Sequence, residues 1–415
     1  MNWILAGALS VLLAGCEPAP PPDTLVVSSD PALKALAEGL LPDITSRTGL
    51  RLSRPLRLER RTREELARYL TAQLDAELPP AEERLLTRSY ALLGLVPEDL
   101  DLRSLLLEVY TEQVAAFYDP DSTALFVLED QPAEALSTVL VHELVHAVQD
   151  QATDLDSLTA KERGNDRQTA AQAAIEGHAT LVMIEHMMEK LQGGPVDLSE
   201  VEDFAGLLRP ALQGIRVQYP MLASAPPVIQ ESLLFPYLEG AGFTQRLWRE
   251  ASDRPAPFGE NLPQSTEQVL HPERFVGAAR DDPSDLRLQI EGARVQYSDG
   301  LGELETSLML GEVGSGATGS AAGWDGDRYA LLETPAGDAL VWVSVWDDTA
   351  ARDRFAARLD VVVPRLRPPT VLERLSLDGV PAIVLRVGEI EEVQATVVPV
   401  GEGAATGDAE QVAAP

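Results

Sequence analysis

From residue 31 to about 252, apolar residues recur three and four apart, the spacing of one helix face, with breaks at Leu78-Pro79-Pro80, Val96-Pro97 and Gly193-Gly194-Pro195. Helices are predicted over 57–74, 133–151 and 168–190. One interruption has a different texture. Phe117-Tyr118 and the run 124–128 are β-prone and flank the turn Asp119-Pro120-Asp121-Ser122, which predicts a hairpin just ahead of the 133–151 helix. After Asp281 the pattern changes to short alternating runs over 286–290, 328–332, 339–346, 382–387 and 393–398, with one helix at 349–362 among them. Strands bounded by Gly, Asp and Pro cannot complete a helical bundle. The fold class is therefore expected to be α+β: a mostly helical domain over 31–280 carrying a short hairpin, then a smaller α+β domain over 281–400. Residues 401–415, rich in Gly and Ala, are expected to be a disordered tail.

The N-terminal pattern is that of a targeting signal. Residues 4–13 are apolar, about half the length that crosses a bilayer, and run into Leu13-Ala14-Gly15-Cys16. This predicts a signal peptide over 1–16, and its end resembles the bacterial lipoprotein box, whose cysteine is lipidated and becomes the new N-terminus. Residues 17–30 open with a proline-rich stretch suited to an extended tether. The expected location is extracytoplasmic, on a bacterial membrane, anchored by a lipid on Cys16.

Composition narrows the chemistry. Lys and Arg number 33 against 66 Asp and Glu, a formal charge of -33, so a phosphate backbone would be repelled and nucleic-acid binding is disfavoured. A single cysteine excludes an intramolecular disulfide and any thiolate metal cluster. The mixed charges of the 57–74 segment read as a solvated helix face.

The histidines, five in all, then carry the weight, and two of them stand in His142-Glu143-Leu144-Val145-His146. On a helix, residues four apart share a face, so His142 and His146 can offer two imidazole nitrogens to one ion. Glu143 lies beside them, placed to take a proton from water at that ion. A hydrolytic zinc needs a third protein ligand and an open position. The next long helix presents Glu176 among small residues, with His178 as its rival; two residues apart on a helix, they cannot face the same ion. Glu176 is the expected third ligand. Asp150, four residues beyond His146, is the expected acceptor for an imidazole N–H.

With these residues in place, the chain resembles the gluzincin zinc metallopeptidases, in which a helical HExxH is completed by a downstream glutamate. More narrowly, it is similar to a set of secreted or lipid-anchored bacterial metallopeptidases. The shared text is Gln113-Val114-Ala115-Ala116-Phe117-Tyr118-Asp119-Pro120, the stretch from His142 through Gln151, Glu176-Gly177, Phe235-Pro236-Tyr237-Leu238-Glu239-Gly240, and Ser265-Thr266-Glu267-Gln268-Val269-Leu270-His271-Pro272. Thr180 and His178 depart from the residues usual at those positions. The resemblance implies a zincin-like fold, one Zn2+ per chain, Glu143 as general base, a peptide or protein substrate, and an oxyanion donor beyond the ligand helices, for which Tyr237 and His271 are the candidates. It also implies an edge strand for the substrate, expected at 124–128. The alternative is a non-catalytic surface lipoprotein that is stabilised by zinc and binds a protein or cell-wall partner.

Overall fold

The computed structural model describes residues 25–398 apart from 202–203, 205, 207–213, 215–217, 252, 278–279, 313–318 and 391. The signal segment with Cys16, most of the proposed tether and the 401–415 tail lie outside the described residues. Among the described residues, no helix is long and apolar enough to cross a membrane.

The molecule is α+β, as expected. Its first part combines helices with a four-stranded sheet of order β1-β2-β4-β3, built from β1 (Val26–Val27), β2 (Leu56–Arg61), β3 (Ala116–Asp119) and β4 (Ala124–Leu128). β2 runs parallel to β1 and β4, while β3 and β4 form the expected antiparallel hairpin.

Two expectations need correction. The 57–74 segment is not one helix. Leu56 and Leu58, both fully buried, alternate with Arg57 and Glu59, which is a strand period hidden by the surrounding charge. The helix α2 (Arg63–Glu77) starts only after Thr62, whose side chain accepts from the Glu65 N–H while Glu65 reaches back to the Thr62 N–H, a reciprocal cap. Because β2 exists, 124–128 is an internal strand, and the edge of the sheet is β3.

Helices α1 (Pro31–Thr48), α3 (Pro80–Leu92), α4 (Leu102–Gln113), α5 (Ala133–Ala152) and the short α6 (Leu155–Leu158) lead to α7 (Asn165–Gln192), which packs along α5. Beyond α8 (Pro220–Ser224) comes α9 (Pro227–Glu250), and α7 and α9 meet at a pair of glycines. A Cβ on Gly177 would lie 1.9 Å from the Gly240 carbonyl carbon, and one on Gly240 would lie 2.0 Å from the Ala173 carbonyl oxygen. The two backbones therefore touch with no side chain between them. The lever this gives is positional: Glu176 and Tyr237 sit one and three residues from the crossing point.

The remainder holds the short α10 (Thr266–Leu270), β5 (Asp285–Glu291), β6 (Arg294–Asp299), α11 (Gly302–Met309), β7 (Trp324–Thr334), β8 (Gly337–Trp346), α12 (Thr349–Val362), β9 (Thr370–Leu377), β10 (Val380–Val387) and β11 (Glu392–Val398). Five strands form an antiparallel sheet, β6-β7-β8-β10-β9, and β11 pairs with β5. The strands at 294–299 and 370–377 were not anticipated. Both are half-exposed and rich in Arg, Gln, Glu and Ser, so their apolar alternation is faint.

Phe355 of α12 packs on Trp342 and Trp346, with ring centroids 5.9 and 4.7 Å away. This aromatic group belongs to the same buried cluster as Tyr90 and Leu92 of α3 and Phe243 and Leu247 of α9, so one core runs through both parts of the chain. Polar contacts reinforce the junction at the N-terminal end of α7. Asp166 accepts from the Thr266 N–H and hydroxyl, at 2.9 and 2.6 Å, and Asp299 accepts from the Asn165 N–H at 3.0 Å. Asp327 accepts from the Leu301 and Gly302 N–H groups and from the indoles of Trp342 and Trp324. The α11 segment and the sheet thus hold the helix that carries Glu176.

Candidate metal centre

The centre forms where α5 crosses α7. Helix α5 is apolar on the side facing the sheet, where Leu140, Val141, Leu144, Val145 and Val148 are fully buried, and this orientation turns His142 and His146 toward α7. Their Nε2 atoms are 3.1 Å apart. Glu176 of α7 brings its Oε2 to 3.1 Å from His142 Nε2 and 3.3 Å from His146 Nε2. Three ligand-type atoms from two helices therefore converge on one nearly buried point, the arrangement expected for His142, His146 and Glu176.

The electrostatics follow from that convergence. Burial resists charge on Glu176, yet the imidazoles beside it hold its carboxyl far below the usual range. Burial likewise opposes charge on His146, but the Glu176 carboxylate outweighs it and raises that imidazole to about 9. A proton shared between Glu176 and His146 is what a metal cation would displace.

Glu143 projects beside the cluster rather than into it. Its Oε2 accepts the backbone N–H of Tyr118, on the edge strand β3, at 2.9 Å. Burial pushes its carboxyl above the ordinary range, with the two histidines pulling the other way. Tyr237 of α9 lies next to the cluster, its ring stacked on His142 with centroids 6.0 Å apart and 39% of the residue exposed. Crowding of the phenol and then the Glu176 and Glu143 carboxylates raise its pKa well above the ordinary value, so it is a proton donor at neutral pH.

The other sequence-derived candidates are placed elsewhere. His271 is buried and its Nε2 meets Glu303 of α11 at 2.9 Å, with Glu273 next to it, so its contacts join α10 to α11 rather than reaching the ligand cluster. Asp150 is not the acceptor for an imidazole. It takes the Tyr118 hydroxyl at 2.8 Å and faces Arg54, because the α5 turn points it toward the sheet. The residue that meets His146 Nδ1 is Gln149, at 2.9 Å. Gln149 sits three positions after His146, on the same helix face, and its neutral amide takes the place expected for the Asp150 carboxylate.

His178 is fully buried away from the ligand atoms, against Trp248 and Phe258, and burial pushes its pKa down to about 3. Thr180 is buried, and its hydroxyl has no hydrogen-bond partner among the described residues.

A second convergent group, Glu267, Asp281 and Asp347, is already filled. The Arg274 guanidinium lies 3.0, 2.7 and 2.7 Å from the three carboxylates.

Comparison with known proteins gives one match. Residues 290–376 fit the family model of a domain of unknown function, DUF8575, a stretch that begins at the end of β5, ends within β9 and excludes the histidine cluster. No curated protein and no solved structure matches the chain.

Proposed function

We propose that this protein is a zinc-dependent peptidase of the gluzincin type, held on the outer side of a bacterial membrane by a lipid on Cys16. The observation that carries the reading is the convergence of His142, His146 and Glu176 on one point with Glu143 beside it. The donor set fits zinc: two imidazoles and a carboxylate, no thiolate, at a nearly buried position with the Tyr237 ring stacked on His142. A zinc ion bound there supplies a Lewis acid that polarises a carbonyl oxygen and makes water more acidic.

The chain's own groups do the rest. Glu143, raised by burial and held at one oxygen by the Tyr118 N–H, accepts the proton of the attacking water and returns it to the leaving nitrogen. Tyr237, a neutral phenol above His142, donates to the oxyanion as it develops. An extended peptide that pairs with the edge strand β3 would pass directly by Glu143, whose carboxylate already touches that strand.

The test pairs two substitutions with assays of turnover, zinc content and melting. Glu143→Gln keeps shape and metal and should lower peptidase turnover by about 10²–10⁴-fold, and Tyr237→Phe by about a hundredfold, with zinc and melting unchanged in both. Unchanged turnover in Glu143→Gln would return the protein to the zinc-stabilised binding-protein reading. Anchoring is tested separately: Cys16→Ser should move the protein from the membrane to the soluble fraction, and continued membrane association without a lipid mass on the wild-type N-terminus would remove the anchor.

A further inference from the structure

One buried amide at the centre has its hydrogen-bonding directions determined by the chemistry of its neighbours. Gln149 is fully buried. The Ile175 carbonyl can only accept, so the Gln149 atom 3.1 Å from it is the nitrogen, and the oxygen is the atom that faces His146 Nδ1 at 2.9 Å. A flipped amide would set two oxygens against each other at Ile175. With an acceptor at Nδ1, His146 must carry a proton there. Its Nε2 is then the nitrogen that faces Glu176 and His142. The second hydrogen of the amide is directed at His178 Nδ1, 3.1 Å away, a nitrogen that therefore presents its lone pair.

His142 has no counterpart to this arrangement. Its Nδ1 is buried and without a hydrogen-bond partner among the described residues. The two imidazoles of the HExxH helix are thus held unequally at Nδ1, one by an amide that spans two helices and the other with no hydrogen bond among the described residues.

We propose that Gln149 is the positioning residue of this centre. It selects the Nδ1–H form of His146 so that Nε2 is the nitrogen offered to a metal. By bonding to the α7 backbone at Ile175, it also sets His146 relative to Glu176, the next residue. One side chain on α5 thereby registers two ligands that come from different helices. The geometry stands on its own; its consequence for zinc rests on the function proposed above.

The experiment uses the full chain with 15N-labelled histidine, zinc-loaded and metal-free, with the His146 signals identified by their loss in His146→Ala. In the wild type the Nδ1 proton of His146 should be protected from exchange with water in both forms. Gln149→Met, similar in size but without an acceptor, should lose that protection and bind zinc about 10–100-fold more weakly in competition with a chelator. Gln149→Glu, which keeps an acceptor but no donor, should keep the protected Nδ1 proton. A folded Gln149→Met protein with the proton still protected and zinc affinity unchanged would overturn the assignment. If that variant does not fold, an unprotected His146 Nδ1 proton in the wild type does the same. A wild type that takes up no zinc would sink the peptidase reading instead, and the metal-free spectrum would still decide the role of Gln149.

Discussion

Two sets of ligand-type side chains converge in this molecule, and they differ in what lies between them. Glu267, Asp281 and Asp347 surround the Arg274 guanidinium, so a cation of the chain already fills their point of convergence, tying α10 to the segments before β5 and after β8. Among the described residues, no Lys or Arg lies between His142, His146 and Glu176, and the Glu176 carboxylate is balanced by a proton on His146. Burial of carboxylates is common to both, and to the Asp166, Glu305 and Asp327 group at the α7 N-terminus. What separates a candidate site from a structural network is unspent capacity at the point of convergence.

Removing Arg274 should break this contrast most strongly. Arg274→Met leaves Asp281 and Asp347 without their counter-charge and the buried Glu267, whose carboxyl burial pushes up to about 10, without its partner, and should cost about 3 kcal/mol of stability, discounted from a fully buried pair because the arginine is partly exposed. Zinc stoichiometry should stay at that of the wild type. A loss of zinc in a folded Arg274→Met protein would mean the two clusters are not independent.

Gly177→Ala attacks the convergence itself. The new methyl would fall on the Gly240 backbone, which cannot rotate away, so α7 and α9 must separate. A loss of about 2–3 kcal/mol is expected from denaturant unfolding, together with weaker zinc binding because Glu176 moves with the helix. Alanine tolerated with both values unchanged would show that the crossing is looser than the contact implies.

The smallest effect is one of pH. Burial raises the Glu305 carboxyl to about 7, against a hydrogen bond from the Tyr90 hydroxyl at 2.7 Å. Since the folded pKa lies above the unfolded one, the native protein keeps a proton that the unfolded chain has released between about pH 4.5 and 7. Stability contributed by this group is full below that window and declines as pH rises through it. Glu305→Gln should remove that decline, leaving the variant about 1–2 kcal/mol more stable than the wild type at pH 8 relative to pH 5. Parallel stability curves for the two proteins would show that Glu305 is ionised in the fold.

Much of the centre was readable from spacing alone. Positions 142 and 146 share a helix face whatever surrounds them, and Glu176 was singled out because its neighbours were small enough to admit another helix. The tertiary contacts were not readable. Asp150 and Gln149 lie about 100° apart around the helix, so which of them meets His146 depends on how α5 is turned against β3 and α7, and no local pattern encodes that. The β2 strand was hidden because only two of its residues, Leu56 and Leu58, face the core, and the charged residues among and after them, Arg57, Glu59, Arg60 and Arg61, resemble a charged helix. In the last third, the strands with apolar alternation were evident and the half-exposed ones were not. His271 stood in a family-like motif, yet its partner Glu303 lies 32 positions away, beyond the reach of any sequence window.

The crossing of α7 and α9 at Gly177 and Gly240 has a consequence for redesign. In a library meant to alter the centre, Glu176 and Tyr237 look like separate positions on separate helices, open to independent variation. Their coordinates share one origin, because each is within a turn of the same backbone contact. A mutation that enlarges either glycine shifts both residues together, and a compensating change has to be sought on the opposite helix. Useful diversity therefore belongs at positions remote from that pivot, with residues 177 and 240 kept constant or changed only as a pair.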